Sequence, residues 1–281
     1  MSPGPTSDVA PTSGAAPAPS RADAPRFDWL LISDVDGTLL GPDHADADSA
    51  DAAGLRDFAA FYEERRERGE LGLVLSSGRF AASVLESVAA TELPTPDAVI
   101  GGVGTEIFVR DHMGEFPEPL ADWPATFENW DAEAVRYALA TVPRLIVQPE
   151  KFQSDYKASY YLPRAKPGEL ETIERRIKDA GVAARIVYSS KRDLDVLPVA
   201  ADKGNAAVFL SEWFGVPPAR VVVAGDSGND AAMFRGDFRG IAVANALPEL
   251  LAHEHPHLHK ATGVAAAGVR EGLDHWTAAP A

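Results

Sequence analysis

Short apolar runs alternate with amphipathic stretches along most of this chain. "FDWLLIS" (27–33), "LGLVLS" (71–76), "PDAVIGG" (96–102), "ARVVVAG" (219–225) and "FRGIAVAN" (238–245) are almost continuously apolar. Such runs, without polar alternation, predict strands buried on both faces. Helical patterns lie between them. In "SADAAGLRDFAAFYEERRERG", Leu55, Phe58, Ala59 and Tyr62 recur at helical spacing, and "EERRERGE" reads as its wet end. "FAASVLESVAA" and "KGNAAVFLSEWFG" (203–215) read as two more helices, the second stopped by Gly215, and "NDAAMFRG" as a short one. This order predicts an α/β fold with a doubly wound, Rossmann-like parallel-sheet core.

The middle of the chain has another texture. "TEIFV" and "GEFP" suggest a hairpin, and "WDAEAVRYALATV" and "PGELETIERRIKDAG" read as helices. "DYKASYYL", "ARIVYSS" and "RDLDVLP" read as strands, with the alternation of a sheet open on one face. The expected organisation is a core over 27–104, an inserted α/β cap domain over 105–198 and the rest of the core over 199–281. Residues 1–26, rich in Pro, Ala, Ser and Gly, are expected to be a disordered tail.

Composition narrows the function classes. The 281 residues carry a formal net charge of −16, which disfavours nucleic acid and anionic membranes as partners. No apolar run is long enough to span a bilayer. The tail lacks the basic start and apolar core of a secretory signal, and its Asp8 and Asp23 are wrong for a transit peptide. The absence of cysteine removes disulfides, thiolate nucleophiles and thiolate-bound zinc, and fits a cytoplasmic protein. A small-molecule ligand and a monomer are the expectations that remain.

Four polar motifs fall at element ends, where parallel sheets gather their working residues. They are "SDVDGT", "SSGR", "ADKGNA" and "GDSGND". Asp34 and Asp36, two apart on an extended chain, can face one cavity. Like charges so close raise one pKa unless a cation intervenes. Asp226 and Asp230 add two more carboxylates, and an all-oxygen set suits Mg2+. Lys203 and the Ser77–Gly78 loop supply the opposite sign, so a phosphate bridging metal, Lys203 and Ser77 balances the charge. Asp34 is then placed to attack phosphorus, and a protonated Asp36 to serve the leaving alcohol and later the water.

In order and content these motifs resemble those of the haloacid dehalogenase-like phosphohydrolases, from about residue 27 onward. The resemblance implies Asp34 as nucleophile, Asp36 as acid/base, and Ser77, Gly78 and Lys203 as phosphoryl-binding residues, with Asn229 touching phosphate. It implies magnesium held by Asp34, the Asp36 carbonyl and Asp226, with Asp230 supporting the metal waters. More narrowly, "GTEI" (104–107), "QPEKFQSDYKASYYL" (148–162), "DLDVLPVAADKGNA" (193–206) and "GVREGLDHW" (268–276) resemble the sucrose-phosphate phosphatase family. Carried over from that family, Thr105, Glu106, Gln153, Lys157, Ser159 and Tyr160 are the sugar-binding candidates. The chain departs from that family in "GGVGTEI", where Asn often precedes the turn, and in Ser77, where Thr is commoner.

The expectation is therefore a magnesium-dependent phosphatase for a sugar phosphate, first of all sucrose 6-phosphate. Phosphates of mannosylfructose, glucosylglycerol, mannosylglycerate and trehalose are alternatives, as are a phosphomutase and a sugar-phosphate binding module. Other readings fit less well. A calcium loop starting at Asp34 lacks its acidic twelfth residue, which is Ala45. A serine-nucleophile elbow fails at Asn229. "HEHPHLH" (253–259), broken by Pro256, reads as a solvated connection rather than a metal tract. Arg79 is left between a phosphate ligand and an ion-pair partner.

Overall fold

A computed structural model describes residues 19–189 and 191–278. Two sheets divide the molecule. The larger has seven strands: β1 (Trp29–Asp34), β2 (Leu71–Ser76), β3 (Ala98–Gly101), β4 (Glu106–Val109), β9 (Val221–Gly225), β10 (Arg239–Ala242) and β11 (Leu258–Lys260). The smaller has four: β5 (Ile146–Val147), β6 (Ala158–Tyr161), β7 (Ala184–Ser189) and β8 (Asp193–Pro198).

The spatial order of the large sheet is β11-β10-β9-β1-β2-β3-β4. All its pairings are parallel except β3 with β4. The chain winds outward from β1 in one direction and from β9 in the other. The switch point thus lies between β1 and β9, and a crevice opens beyond their carboxyl ends. β2, β3 and β9 are buried at every position, so helices must cover both faces. Helix α1 (Ala50–Glu67) packs on α7 (Ala265–Thr277), and α5 (Lys203–Phe214) packs on a 3-10 turn over Gly228–Met233. Helix α2 (Ala81–Ala90) lies against β3, and α6 (Pro248–Leu251) is a single turn.

Local chemistry sets the helix ends that matter. Ser49 caps α1 by accepting from the Ala52 amide at 3.0 Å. Asp202 caps α5 by accepting from the Asn205 amide at 2.7 Å, which makes Lys203 the first residue of the helix. Gly215 ends α5 in the left-handed region, as its place in the sequence predicts.

The small sheet is antiparallel, in the order β5-β6-β8-β7. Helices α3 (Ala132–Leu139) and α4 (Glu169–Asp179) pack on it and on each other. Val135, Leu139, Tyr160, Ile173, Ile177 and Leu194 form its separate core. This is the α/β cap, carried as an insertion on the doubly wound core.

Three expectations change. "TEIFV" does not pair with "GEFP" in a cap hairpin; it is β4, the antiparallel edge of the core sheet. The division at 104/105 therefore falls inside a core hairpin, and Leu120, Trp123 and Phe127 also pack into the core cluster. "HEHPHLH" is not wholly a connection, because Leu258–Lys260 is the parallel edge strand β11. The expected disordered tail lies outside the described residues as far as residue 18. From Pro19 onward it follows the surface: Arg21–Asp23 make a 3-10 turn, and the Arg21 guanidinium donates to the Glu212 carbonyl.

Candidate active site

The side chains of the four motifs meet beyond β1 and β9. Asp34 is the last residue of β1, and Asp226 follows β9 directly. Lys203, fully buried at the start of α5, joins Asp34 to Asp230 in the turn after β9. Its Nζ lies 2.6 Å from Asp34 Oδ1 and 2.7 Å from Asp230 Oδ1. The other Asp230 oxygen accepts from the amides of Asp226 and Ser227, both at 3.1 Å. Asp230 thus fixes Lys203 and the β9 turn together. The Thr38 hydroxyl lies 3.3 Å from Asp34 Oδ2 and 3.5 Å from Asp226 Oδ1, sharing one proton between them.

Carboxylate oxygens of Asp34, Asp226 and Asp230 all lie within 4.8 Å of one another. Three carboxylates face one ammonium, an excess of negative charge in a buried place. Burial pushes the Asp34 carboxyl up to about 7, against the pull of Lys203. Burial, with Asp230 beside it, raises Asp226 to about 6. Burial alone would lower Lys203, but Asp34 and Asp230 outweigh it and hold the ammonium above its ordinary range. An all-oxygen set with unbalanced negative charge fits a hard divalent cation. Asp34 and Asp226 are placed to hold it, while both Asp230 oxygens are already engaged.

Asp36 points elsewhere. Its side chain is 59% exposed, and its carboxylate lies 2.9 Å from Arg79 Nε. Ser77 is buried after β2, with its Oγ accepting from the Arg79 amide at 3.1 Å and its own proton free for an anion. Asn229 sits at the rim, where its side chain accepts from the Ser227 hydroxyl at 2.8 Å.

A crevice of about 310 Å³ separates core from cap, lined by Gly78 and Asn229 below and by Gln148, Lys157, Tyr161 and Asp195 above. Of the sugar-binding candidates, Lys157 lines it directly. Lys157 Nζ lies 3.2 Å from Asp195 and 5.2 Å above the Phe80 ring of the core. Ser159 donates to Asp195 Oδ1 at 2.6 Å and steadies that carboxylate. Gln153 is spent on the cap backbone, bonding the Gln148 carbonyl and both backbone groups of Ser159. Thr105 is buried on the Gly102 carbonyl, and Glu106 accepts from the Ala81 amide at the start of α2. Both brace the β3–β4 turn, and both line a second cavity of about 200 Å³ against Ser154, Asp155 and Tyr156 of the cap. Tyr160 is misassigned: strand alternation turns it into the cap core, and its neighbour Tyr161 lines the crevice.

Sequence reasoning missed Asp193, Asp195 and Asn245. The first two pair in register with Tyr161 and Ser159, so the "DLD" alternation carried the signal. Asn245 follows β10 and donates to the Gly37 carbonyl at 2.7 Å while accepting from the Ala265 amide at 2.9 Å. It ties the Asp34 loop to α7.

Comparison with known proteins agrees with this geometry. The sequence model of the sucrose-6F-phosphate phosphohydrolase family matches residues 27–277. The chain belongs to that family. It is a phosphatase, a phosphoric monoester hydrolase acting on sugar phosphates. A mannosylfructose-phosphate phosphatase of Agrobacterium fabrum is 37% identical, over 88% of this chain and 96% of its own. Sucrose-phosphatase 1 of Nicotiana tabacum is 34% identical over 89% of this chain, which spans 60% of that relative's length. The sucrose-phosphatase of a Synechocystis species, solved with sucrose and phosphate, is 28% identical with a TM-score of 0.75, covering 89% of this chain and 98% of that one. A haloacid dehalogenase-like hydrolase of Bacillus subtilis shares the fold, with a TM-score of 0.68 at 18% identity, over 90% and 93% of the two chains. Among the described residues, no helix is long and apolar enough to cross a membrane.

Proposed function

We propose that this phosphatase hydrolyses a phosphorylated disaccharide, first of all sucrose 6-phosphate, through an aspartyl phosphate with magnesium as cofactor. The observation that carries the reading is the Lys203 ammonium, 2.6 Å from Asp34 and 2.7 Å from Asp230, with Gly78 and Asn229 of the neighbouring loops lining a crevice against the cap. Asp34 and Asp226 would hold the metal, together with the Asp36 carbonyl. Bound magnesium supplies positive charge that offsets the carboxylates and the phosphoryl oxygens.

The chain's own residues divide the remaining work. Lys203, the Ser77 hydroxyl and the Gly78 amide bind the phosphoryl oxygens, with Asn229 at the rim. The Asp34 carboxylate attacks phosphorus, and the bond from phosphorus to the sugar oxygen breaks. Asp36 gives its proton to that leaving oxygen. Water then attacks phosphorus, returns a proton to Asp36 and breaks the bond to Asp34, releasing phosphate.

The crevice favours an uncharged leaving group. The two cap cations that line it are paired already, Lys157 with Asp195 and Arg192 with Asp193, each at 3.2 Å. Among the described residues, the crevice offers a second anion, such as a glycerate carboxylate, no cation without an acidic partner, whereas sugar hydroxyls can bond both members of each pair. The Agrobacterium relative's name favours mannosylfructose phosphate as the second reading. A monomer in the cytoplasm fits a cysteine-free chain acting on a small metabolite.

Phosphate release from a panel of sucrose 6-phosphate, mannosylfructose phosphate and glucose 6-phosphate tests the substrate. A preference of about a hundredfold or more for one disaccharide phosphate supports the reading. Equal rates would reduce the enzyme to a general sugar phosphatase. Asp34→Asn is expected to release no phosphate from any of them.

A further inference from the structure

Arg79 stands outside the set of residues assigned above, yet it is tied to three parts of the site. Its Nε lies 2.9 Å from Asp36 Oδ2. Its Nη1 donates to the Ser87 hydroxyl of α2 at 2.9 Å. Its amide donates to the Ser77 Oγ at 3.1 Å, and its carbonyl accepts from the Gly102 amide at 2.8 Å. The contact is an ion pair; among the described residues, no hydrogen bond and no other ion pair reaches the Asp36 carboxylate.

An ordinary surface ion pair contributes little, because two mobile side chains must be ordered in water. This pair differs on one side. The Arg79 side chain is only 33% exposed, and Ser87 anchors its far end on a helix. The guanidinium is thus a fixed post, and Asp36, 59% exposed, is the mobile partner. A proton donor must stay within hydrogen-bond reach of its acceptor, and small misplacements are expensive in rate. The post also stands on the loop that holds Ser77, so one rigid turn sets both the phosphoryl site and the direction of Asp36.

We propose that Arg79 is a positioning residue for the known reaction: braced by Ser87, it aims the Asp36 carboxylate at the leaving-group oxygen. The proposal rests on the reading of Asp36 as acid/base. It makes a claim that a merely structural role does not. Arg79 matters in proportion to how much the leaving group needs a proton. A sugar alkoxide needs one; 4-nitrophenolate leaves without one.

The experiment is single-turnover phosphorylation of the magnesium-loaded enzyme, with sucrose 6-phosphate and with 4-nitrophenyl phosphate. The variants are Arg79→Gln, Arg79→Lys, Ser87→Ala and Asp36→Asn, each checked for an unchanged thermal midpoint. In Arg79→Gln the rate on the sugar phosphate is expected to fall about tenfold or more beyond the fall in the 4-nitrophenol burst. Arg79→Lys recovers part of that selectivity, and Ser87→Ala shows it more weakly. Equal losses on both substrates in Arg79→Gln, with a selective loss in Asp36→Asn, would overturn the proposal and leave the reading of Asp36 standing. A lack of selectivity in Asp36→Asn would overturn both.

Discussion

Gly37 backs directly onto the carboxylate of Asp226: a Cβ at position 37 would lie 2.4 Å from Asp226 Oδ2. The backbone there has φ +91°, a region in which L side chains are strained by about 1–2 kcal/mol. The glycine in "DVDGT" is thus required twice, by the turn and by the approach of the Asp226 carboxylate, a proposed metal ligand. Gly37→Ala is expected to displace Asp226, raising the magnesium concentration needed for half-maximal turnover about tenfold or more. Metal titrations of activity measure it, and an unchanged requirement would remove Asp226 from the ligand set.

Lys203 neutralises two buried carboxylates at once. Its replacement by Met leaves Asp34 and Asp230 buried without a countercharge. Removing one member of a buried ion pair typically costs about 3–5 kcal/mol. Urea denaturation in chelator is expected to show a loss of that size, and turnover is expected to vanish. A Lys203→Met protein as stable as the parent would mean that water reaches both carboxylates.

The raised carboxyls give the metal site a definite pH response. Burial lifts Asp34 from 3.8 to about 7 and Asp226 to about 6 in the metal-free protein. Folded values above the unfolded ones mean that these groups favour folding below about pH 4, and that the benefit is lost as pH rises through 6 to 7. Magnesium needs the ionised forms, so its affinity should climb over the same interval and its binding should release protons. Calorimetry in two buffers of different ionisation enthalpy reads this directly. Magnesium should also raise the thermal midpoint more at pH 8 than at pH 5.5.

Asp97 lies at the opposite end of the sheet, just before β3, and illustrates a purely structural charge. It accepts from the Tyr62 hydroxyl at 2.8 Å and the Leu73 amide at 3.0 Å, and it pairs with Arg66 and Arg110 at 2.8 and 3.3 Å. Asp97→Ala should destabilise the fold by about 3 kcal/mol or more. Turnover per folded molecule should stay near the parent value, because the crevice is at the other end of the strands.

The cap pair Lys157–Asp195 is expected to set affinity for the sugar and not the chemistry. Asp195→Ala removes the ion-pair partner of Lys157, while the Ser159 hydroxyl keeps the Phe152 carbonyl at 2.9 Å. KM for the disaccharide phosphate should rise about tenfold or more, while kcat/KM for 4-nitrophenyl phosphate moves far less. A parallel loss on both substrates would move Asp195 out of sugar recognition.

The parts of this molecule that were legible in the sequence are those where one residue type has one use. The buried strand that ends at Asp34 and the helix that starts at Lys203 form where their patterns placed them, and bring the two side chains within 2.6 Å. Where a residue type has several uses, pattern alone fell short. Glu106 carries a structural duty that the sequence did not announce: it accepts the Ala81 amide, because an unpaired helix start offers any carboxylate a good site. Tyr160 and Tyr161 differ only in parity, which pairing with β8 decides and the local sequence does not. β4 joined the core because β3 had an open edge beside it, a fact about a distant neighbour and not about "TEIFV". Leu258–Lys260 joined β10 for the same reason.

The β3–β4 turn of the core meets the passage by which the chain comes back from the cap. Gly104 lies in that turn, and its missing side chain lets it press against the Asp202 backbone; a Cβ there would lie 2.5 Å from the Asp202 carbonyl carbon. Asp202 caps α5, and the next residue is Lys203. The core hairpin thus clasps the returning chain one residue before the buried Lys203 ammonium. The cation is thereby anchored to the larger layer at its root, and an added side chain at position 104 would push on it through a single peptide unit.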